Sequence, residues 1–156
     1  MTPGKTKYVL DTNLYVFAAR DPRWKGAVRE FMDRHMPWMY LHSTVAGELL
    51  AGALTAKLER DTQRNLIQPF ESVGRVITPS EGAWKRSGLA IARLVREGKL
   101  SPGGVPRSFF NDCLIAASAR DEGVTVVTHN EKDFDLIGSV MAVDFVSPWP
   151  EEAIAS

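Results

Sequence analysis

Cysteine occurs once in the 156 residues, as Cys113, and a single thiol excludes two classes of small protein. It cannot form an intramolecular disulfide, and it has no partner for a cysteine zinc site. Long apolar runs are missing as well, since nothing approaches the roughly 18 to 20 apolar residues that span a bilayer. Met1 to Lys7 is polar and passes straight into the first apolar run, so no leader is expected. With no membrane span and no disulfide framework, the expected setting is the cytoplasm, a reducing compartment. His35, His42 and His129 show neither HxxxH nor HxH spacing, and they read as surface or partly packed side chains. Net charge is absent too: 19 Lys and Arg face 19 Asp and Glu, so the overall balance argues neither for nor against a nucleic-acid partner.

What the chain does have is segregated charge. From Trp84 to Arg107, six basic residues stand against Glu97 alone, whereas from Ser108 onward nine acids stand against Arg120 and Lys132. Cations beside carboxylates suit an enzyme that holds a phosphate backbone and a metal ion, and equally suit an ordinary solvated helix face. The length fits one domain, residues 1–156, with a core over about residues 7–146 and a polar tail over 147–156.

Strand and helix signals alternate. Lys7 to Leu10 reads as a strand, Thr12 to Ala19 as a helix, and Pro22 to about His35 as a second helix with Trp24, Val28, Phe31 and Met32 on one stripe. Trp38 to Leu41 is a second strand, followed by a helix that Ser43 or Thr44 caps and by another over about Arg60 to Glu71. Val73 to Ile77 is a third strand. Ser80 or Glu81 then begins a helix to about Glu97, with Trp84, Ile91, Leu94 and Val95 inward and Arg86, Arg93 and Arg96 outward. Two glycines and two prolines make 101–106 a loop. Ser108 caps the next helix, Phe109 to about Asp121, which is apolar nearly all round and therefore buried. Val124 to Val127 is an unbroken apolar strand of the kind found inside parallel sheets, and Met141 to Val146 is the last strand. The fold class is α/β.

Four acids fall at corresponding places in this alternation. Asp11 follows the first strand, Glu48 lies early in the helix after the second, Asp112 lies early in the buried helix, and Asp133 follows the late strand. In open parallel sheets, ligands bind beyond the carboxyl ends of the strands. Any one of the four has an ordinary use as a cap, a turn former or a partner of a helix dipole worth roughly 0.3–1 kcal/mol. The set resists that reading, because two carboxylates about 4 Å apart repel by roughly 4 kcal/mol at an effective dielectric near 20. Such a cluster takes up protons or a cation, and oxygen-only ligands favour Mg²⁺ or Mn²⁺ over Zn²⁺.

The motifs around these acids are VLDTN at Asp11, STVAGELLAG at Glu48, NDCLIAASA at Asp112 and VVTHNEKDF near Asp133. In this order they resemble a PIN-domain ribonuclease, and within that family the VapC-like toxins of type II toxin-antitoxin pairs. The resemblance runs from Tyr8 to about Val146. It implies a three-layer PIN-like fold, a mainly parallel central sheet flanked by helices, with an acidic pocket for one or two Mg²⁺ (or Mn²⁺) ions. It implies endonucleolytic cleavage of RNA, either tRNA or rRNA, together with a small cognate antitoxin and a homodimer. Asp11 and Asp112 would be the main metal ligands, Glu48 would complete the set directly or through water, and Asp133 would be the fourth acid. Some related nucleases carry that fourth acid at the position of Asn130, so either place fits.

Asn13, Thr128 and Asn130 are candidates to hold waters or phosphate at the rim, with roles as caps and turn formers equally open. Arg107 is the candidate for a backbone phosphate contact. Trp24, Trp38 and Trp84 read as core or interface residues, with base stacking open to any that stands at a pocket rim, and Trp149 either packs back onto the domain or docks a partner. Two other readings share the fold: a catalytically silent RNA- or protein-binding module, and a housekeeping RNA-processing nuclease. A phosphotransferase using Asp11 as nucleophile would want a second Asp where this chain has Asn13.

Overall fold

The apolar runs become short parallel strands. In the computed structural model, which describes residues 5–150, β1 (Tyr8–Leu10), β2 (Met39–His42), β3 (Val76–Ile77), β4 (Thr125–Val127) and β5 (Phe145–Val146) form one sheet. Its order is β3-β2-β1-β4-β5, and every pairing is parallel. The helices are α1 (Thr12–Arg20), α2 (Pro22–His35), α3 (Ser43–Ala51), α4 (Ala56–Thr62), α5 (Gln68–Glu71), α6 (Glu81–Arg96), α7 (Arg107–Glu122) and α8 (Glu131–Gly138). A 3₁₀ turn, Met36–Trp38, leads into β2, and π-helical turns, Gln63–Ile67, join α4 to α5.

The strand order creates the site. From β1 the chain adds β2 and then β3 on one side, and it returns to place β4 on the other side of β1. The carboxyl ends of β1 and β4 therefore flank the point where the order reverses, which is where a crevice opens in such sheets. The register fixes who stands there. Leu10 pairs with Val127, and the Asp11 N–H donates to the Val127 carbonyl at 2.9 Å, so Asp11 and Thr128 emerge side by side.

The sheet is anchored by fully buried side chains: Leu10, Leu14, Met39, Leu41, Val126, Val127, Phe134 and Ile137. Burial of each such side chain contributes on the order of 1.5–3 kcal/mol. α7 runs through the same core, with Phe109 and every residue from Asp112 to Ala119 buried. It stops at Gly123, whose φ of +66° is left-handed and suits a residue without a Cβ. No helix among the described residues is long and apolar enough to cross a membrane.

Several sequence expectations need correction. Trp84 does not face inward: it is 52% exposed, and the buried stripe of α6 is Ala83, Ser87, Ala90 and Leu94. The reason is close packing. α6 meets α7, whose buried residues include Ala116, Ala117, Ser118 and Ala119, so small residues lie inside and the indole is left outside. Ser87 is tolerated there because its hydroxyl donates to the Ala83 carbonyl at 2.8 Å. The third strand is only Val76–Ile77, because Gly74 turns the chain at φ +68° and leaves Val73 exposed. The fifth is only Phe145–Val146. The helix expected from Arg60 starts earlier, after Thr55, whose hydroxyl caps the Leu58 N–H at 3.1 Å.

Two caps also differ. α3 is capped by neither Ser43 nor Thr44 but by His42, whose Nδ1 accepts from the Thr44 N–H at 3.1 Å. His42 is fully buried, not surface-placed, and burial lowers its pKa to about 4. α7 begins at Arg107 after Pro106, with no side-chain cap from Ser108. Trp149 packs back onto the domain, its ring centroid 5.1 Å from that of Phe31 and 6.3 Å from that of Trp24. Of the polar tail expected over 147–156, residues 151–156 lie outside the described residues.

Candidate active site

Asp11 is held from three sides. Its Oδ1 accepts the Thr12 N–H at 2.8 Å, and its Oδ2 accepts the Thr128 hydroxyl at 2.8 Å and the Asn13 amide at 3.3 Å. The first of these is an N-terminal cap of α1, so the capping role and a place in the crevice coexist in one side chain. Burial raises the Asp11 pKa, the bonds from Thr128 and Thr12 offset part of that rise, and the charge of Asp133 adds to it.

Thr128 is fully buried and serves as a relay: its hydroxyl donates to Asp11 and accepts the Asn130 N–H at 2.9 Å. The Asn130 side-chain amide in turn donates to Asp112 at 3.1 Å and to Asp133 at 2.9 Å. Asn130 and Asp133, offered by the sequence as alternatives for one place, thus stand together, and the amide binds the two carboxylates with its two protons. Asn13 closes the rim, its side-chain carbonyl 3.5 Å from the His129 N–H.

Asp112 is the most perturbed of the set. Burial is the largest cause, the charges of Asp11, Asp133 and Glu48 follow, and the Asn130 bond opposes them, so its pKa is pushed up to about 8. Glu48 is half-buried and reaches the others through Thr12, whose hydroxyl donates to Oε1 at 3.1 Å. Its pKa is raised by burial first and then by Asp11, with Thr12, Asn111 and Arg107 pulling the other way. Neither α3 nor α7 has an acid in its first turn, so Glu48 and Asp112 lie beyond the helix N-termini. The helix-dipole explanation fails for both. It survives for Asp133, in the first turn of α8.

The donor set fits a hard divalent cation: it is all oxygen, largely buried, and carries more negative charge than its surroundings neutralise. Among the described residues, no three of the Asp, Glu, His or Cys side chains already converge closely enough to enclose an ion.

Beside the acids lies a cleft of about 720 Å³ between α3, the turn at Thr78 and Pro79, α6 and α7. Glu48 lines it together with Trp84, Arg107, Ser108 and Asn111, while the three aspartates do not. Arg107 is exposed on the cleft wall and faces Glu48 electrostatically. Sequence reasoning missed Asn111 and misplaced Trp84. The signal for Asn111 was available: Arg107, Asn111 and Leu114 are spaced at four and three residues, one stripe of α7 that lines the cleft.

The PIN domain family model matches residues 8–139. The chain belongs to the PIN domain family. It is 30% identical over 141 residues to the tRNA(fMet)-specific endonuclease VapC of Shigella flexneri, covering 89% of this chain and 98% of that protein. That likeness puts it with the VapC-like members. Its fold is shared by the DNA-bound VapBC of Salmonella typhimurium, with a TM-score of 0.67 at 24% identity over 92% of this chain and 98% of that one. FitAcB of Neisseria gonorrhoeae likewise gives 0.67 at 20% identity over 91% and 98%. The central sheet of this PIN domain is wholly parallel among the described residues, where a mainly parallel one was expected.

Proposed function

We propose that this PIN domain is a divalent-metal-dependent endoribonuclease, using Mg²⁺ or Mn²⁺, and the toxin of a toxin-antitoxin pair. One observation carries the reading. Asp11, Asp112 and Asp133 are joined in one hydrogen-bond chain at the carboxyl edge of the sheet, Thr128 bonding Asp11 and Asn130 bonding Thr128, Asp112 and Asp133, in a protein 30% identical to a tRNA endonuclease. The substrate is taken to be structured cellular RNA, with tRNA placed before rRNA on the strength of that relative.

Asp11, Asp112 and Asp133 would hold the cation, and Glu48 would complete its surroundings. Bound there, the cation supplies neutralisation of charge on the scissile phosphate and acidification of the attacking water. The protein does the rest. Thr12 and Thr128 fix the Asp11 carboxylate, so its oxygens need no reorganisation during the reaction. Asn130 sets the orientation of Asp112 and Asp133. Glu48, open to the cleft and elevated in pKa, orients the water and accepts its proton. Arg107 holds a backbone phosphate against the cleft wall.

An antitoxin would quench this site most simply by presenting an Arg or Lys to the carboxylates, a charge-assisted contact that competes with the cation. Leu54 and Leu58, 86% and 49% exposed, are the apolar residues we assign to a homodimer contact.

The test is incubation of total cellular RNA with purified protein, with Mg²⁺, Mn²⁺ or EDTA, followed by mapping of new 5′ ends, alongside Asp11→Asn. Discrete metal-dependent ends absent from the variant are expected. RNA binding without cleavage under every metal would replace this reading with that of a silent binding module.

A further inference from the structure

Trp84 is left outside by the small-residue packing of α6, yet it does not project into empty solvent. Its ring lies 5.6 Å from that of Phe110, inclined at 39°, and forms one wall of the cleft beside Glu48. On α7 stand Arg107, which makes no ion pair among the described residues, and the hydrogen-bonding side chains of Ser108 and Asn111. No side chain caps the α7 N-terminus, so its partial positive charge adds to that of Arg107. An aromatic face, a cation and neutral polar groups thus meet in one space of about 720 Å³. Its size lies within the roughly 300–1,000 Å³ of sites that enclose small-molecule-sized ligands.

We infer that this cleft is a nucleotide subsite, in which one unpaired RNA base stacks on Trp84 while its phosphate is held by Arg107. The inference rests on the ribonuclease reading and adds the residues that seat one nucleotide: Trp84 takes an unstacked base beside the acids, and Arg107 its phosphate. A base in a helical stem is already paired and stacked, whereas a loop or single strand can splay one onto an aromatic side chain. The subsite therefore selects loops over stems.

The experiment measures binding of a labelled single-stranded RNA by fluorescence anisotropy in EDTA, for the wild type and for Trp84→Ala, Trp84→Phe and Gly47→Leu. Gly47 lies on the α3 wall, and a Cβ added there meets nothing within 4 Å, so a side chain can start from this position; that the leucine variant is folded is checked by its circular dichroism and denaturant midpoint before binding is measured. Trp84→Ala and Gly47→Leu are expected to weaken binding by about 5- to 150-fold, the range for loss of one base–aromatic stack. Trp84→Phe should keep most of the affinity. A series of RNAs with one abasic nucleotide at successive positions should reveal one position that weakens the wild type by the same factor and leaves Trp84→Ala unaffected. With Mg²⁺, Trp84→Ala should raise KM far more than it lowers kcat. Unchanged RNA binding in Trp84→Ala, or an abasic penalty that persists in it, overturns the subsite alone. So does weakened antitoxin binding with RNA binding intact, which would assign the cleft to the protein partner. A wild type that neither binds nor cleaves RNA removes the ribonuclease reading and this inference with it.

Discussion

Asp112 and His42 are titratable groups placed in the interior with opposite consequences for pH. Asp112, pushed up to about 8 by burial and by neighbouring carboxylates, keeps a proton in the folded state that the unfolded chain has already lost. Raising the pH from about 4 to 8 therefore favours unfolding, and the raised pKa of Asp11 acts in the same direction. His42, lowered to about 4 by burial, stays neutral when folded, so its contribution to stability rises with pH between about 4 and 6.5. Between pH 6.5 and 8 the carboxylates dominate, before the buried Cys113 thiol, also raised by burial, begins to contribute at higher pH. In EDTA the urea midpoint of the wild type should fall between pH 6.5 and 8, and Asp112→Asn should flatten that slope and unfold later at pH 8. Thr128→Val should cost about 1–3 kcal/mol in the same assay, because it takes a donor from the buried Asp11 and leaves the part-buried Asn130 N–H without its acceptor. The sequence made the four acids, Thr128 and Asn130 legible as candidates: Asp11, Thr128, Asn130 and Asp133 sit at element ends, and Glu48 and Asp112 stand one turn further into helices that follow apolar runs. It could not reveal that Asn130 binds two of the acids at once, since a short polar side chain in a turn has many possible partners.

Among the elements, α7 was the easiest to read and α6 the hardest. The composition of α7 is apolar on nearly every face, and it is buried from Asp112 to Ala119 as that composition demands. In α6, hydrophobicity pointed to Trp84, while the packed face is made of Ala83, Ser87, Ala90 and Leu94. Size at a helix-helix contact outranked hydrophobicity, and a single helix does not disclose the size of its neighbour's side chains. Strand ends were blurred for a related reason: pairing partners, not propensity, set where β3 and β5 begin. The left-handed Gly123 joins the buried helix to β4, and hence to Thr128. Gly123→Ala should destabilise the fold by about 1 kcal/mol, visible as a lower denaturant midpoint with an unchanged slope.

For the whole molecule, the strand order β3-β2-β1-β4-β5 places residues more than a hundred positions apart, Asp11 and Thr128, in direct contact. The ordered motifs carried that topology through their resemblance to the PIN family, whereas spacing alone would not have set the strand order. Self-association belongs to this scale too. The wild type should sediment at twice the chain mass, and Leu54→Glu with Leu58→Glu should return it to the monomer without loss of helical signal, as analytical ultracentrifugation and circular dichroism would report.

The central claim is that the buried acids act as one cation-dependent unit on RNA. It is tested most directly by the single-turnover cleavage rate of a tRNA substrate as a function of Mn²⁺ concentration, for the wild type and Asp112→Asn. The wild-type rate should rise from zero in EDTA to saturation, and the variant should fall by about 10²-fold or more at every concentration. Cleavage that persists in EDTA, or that proceeds at the wild-type rate in Asp112→Asn, would contradict it.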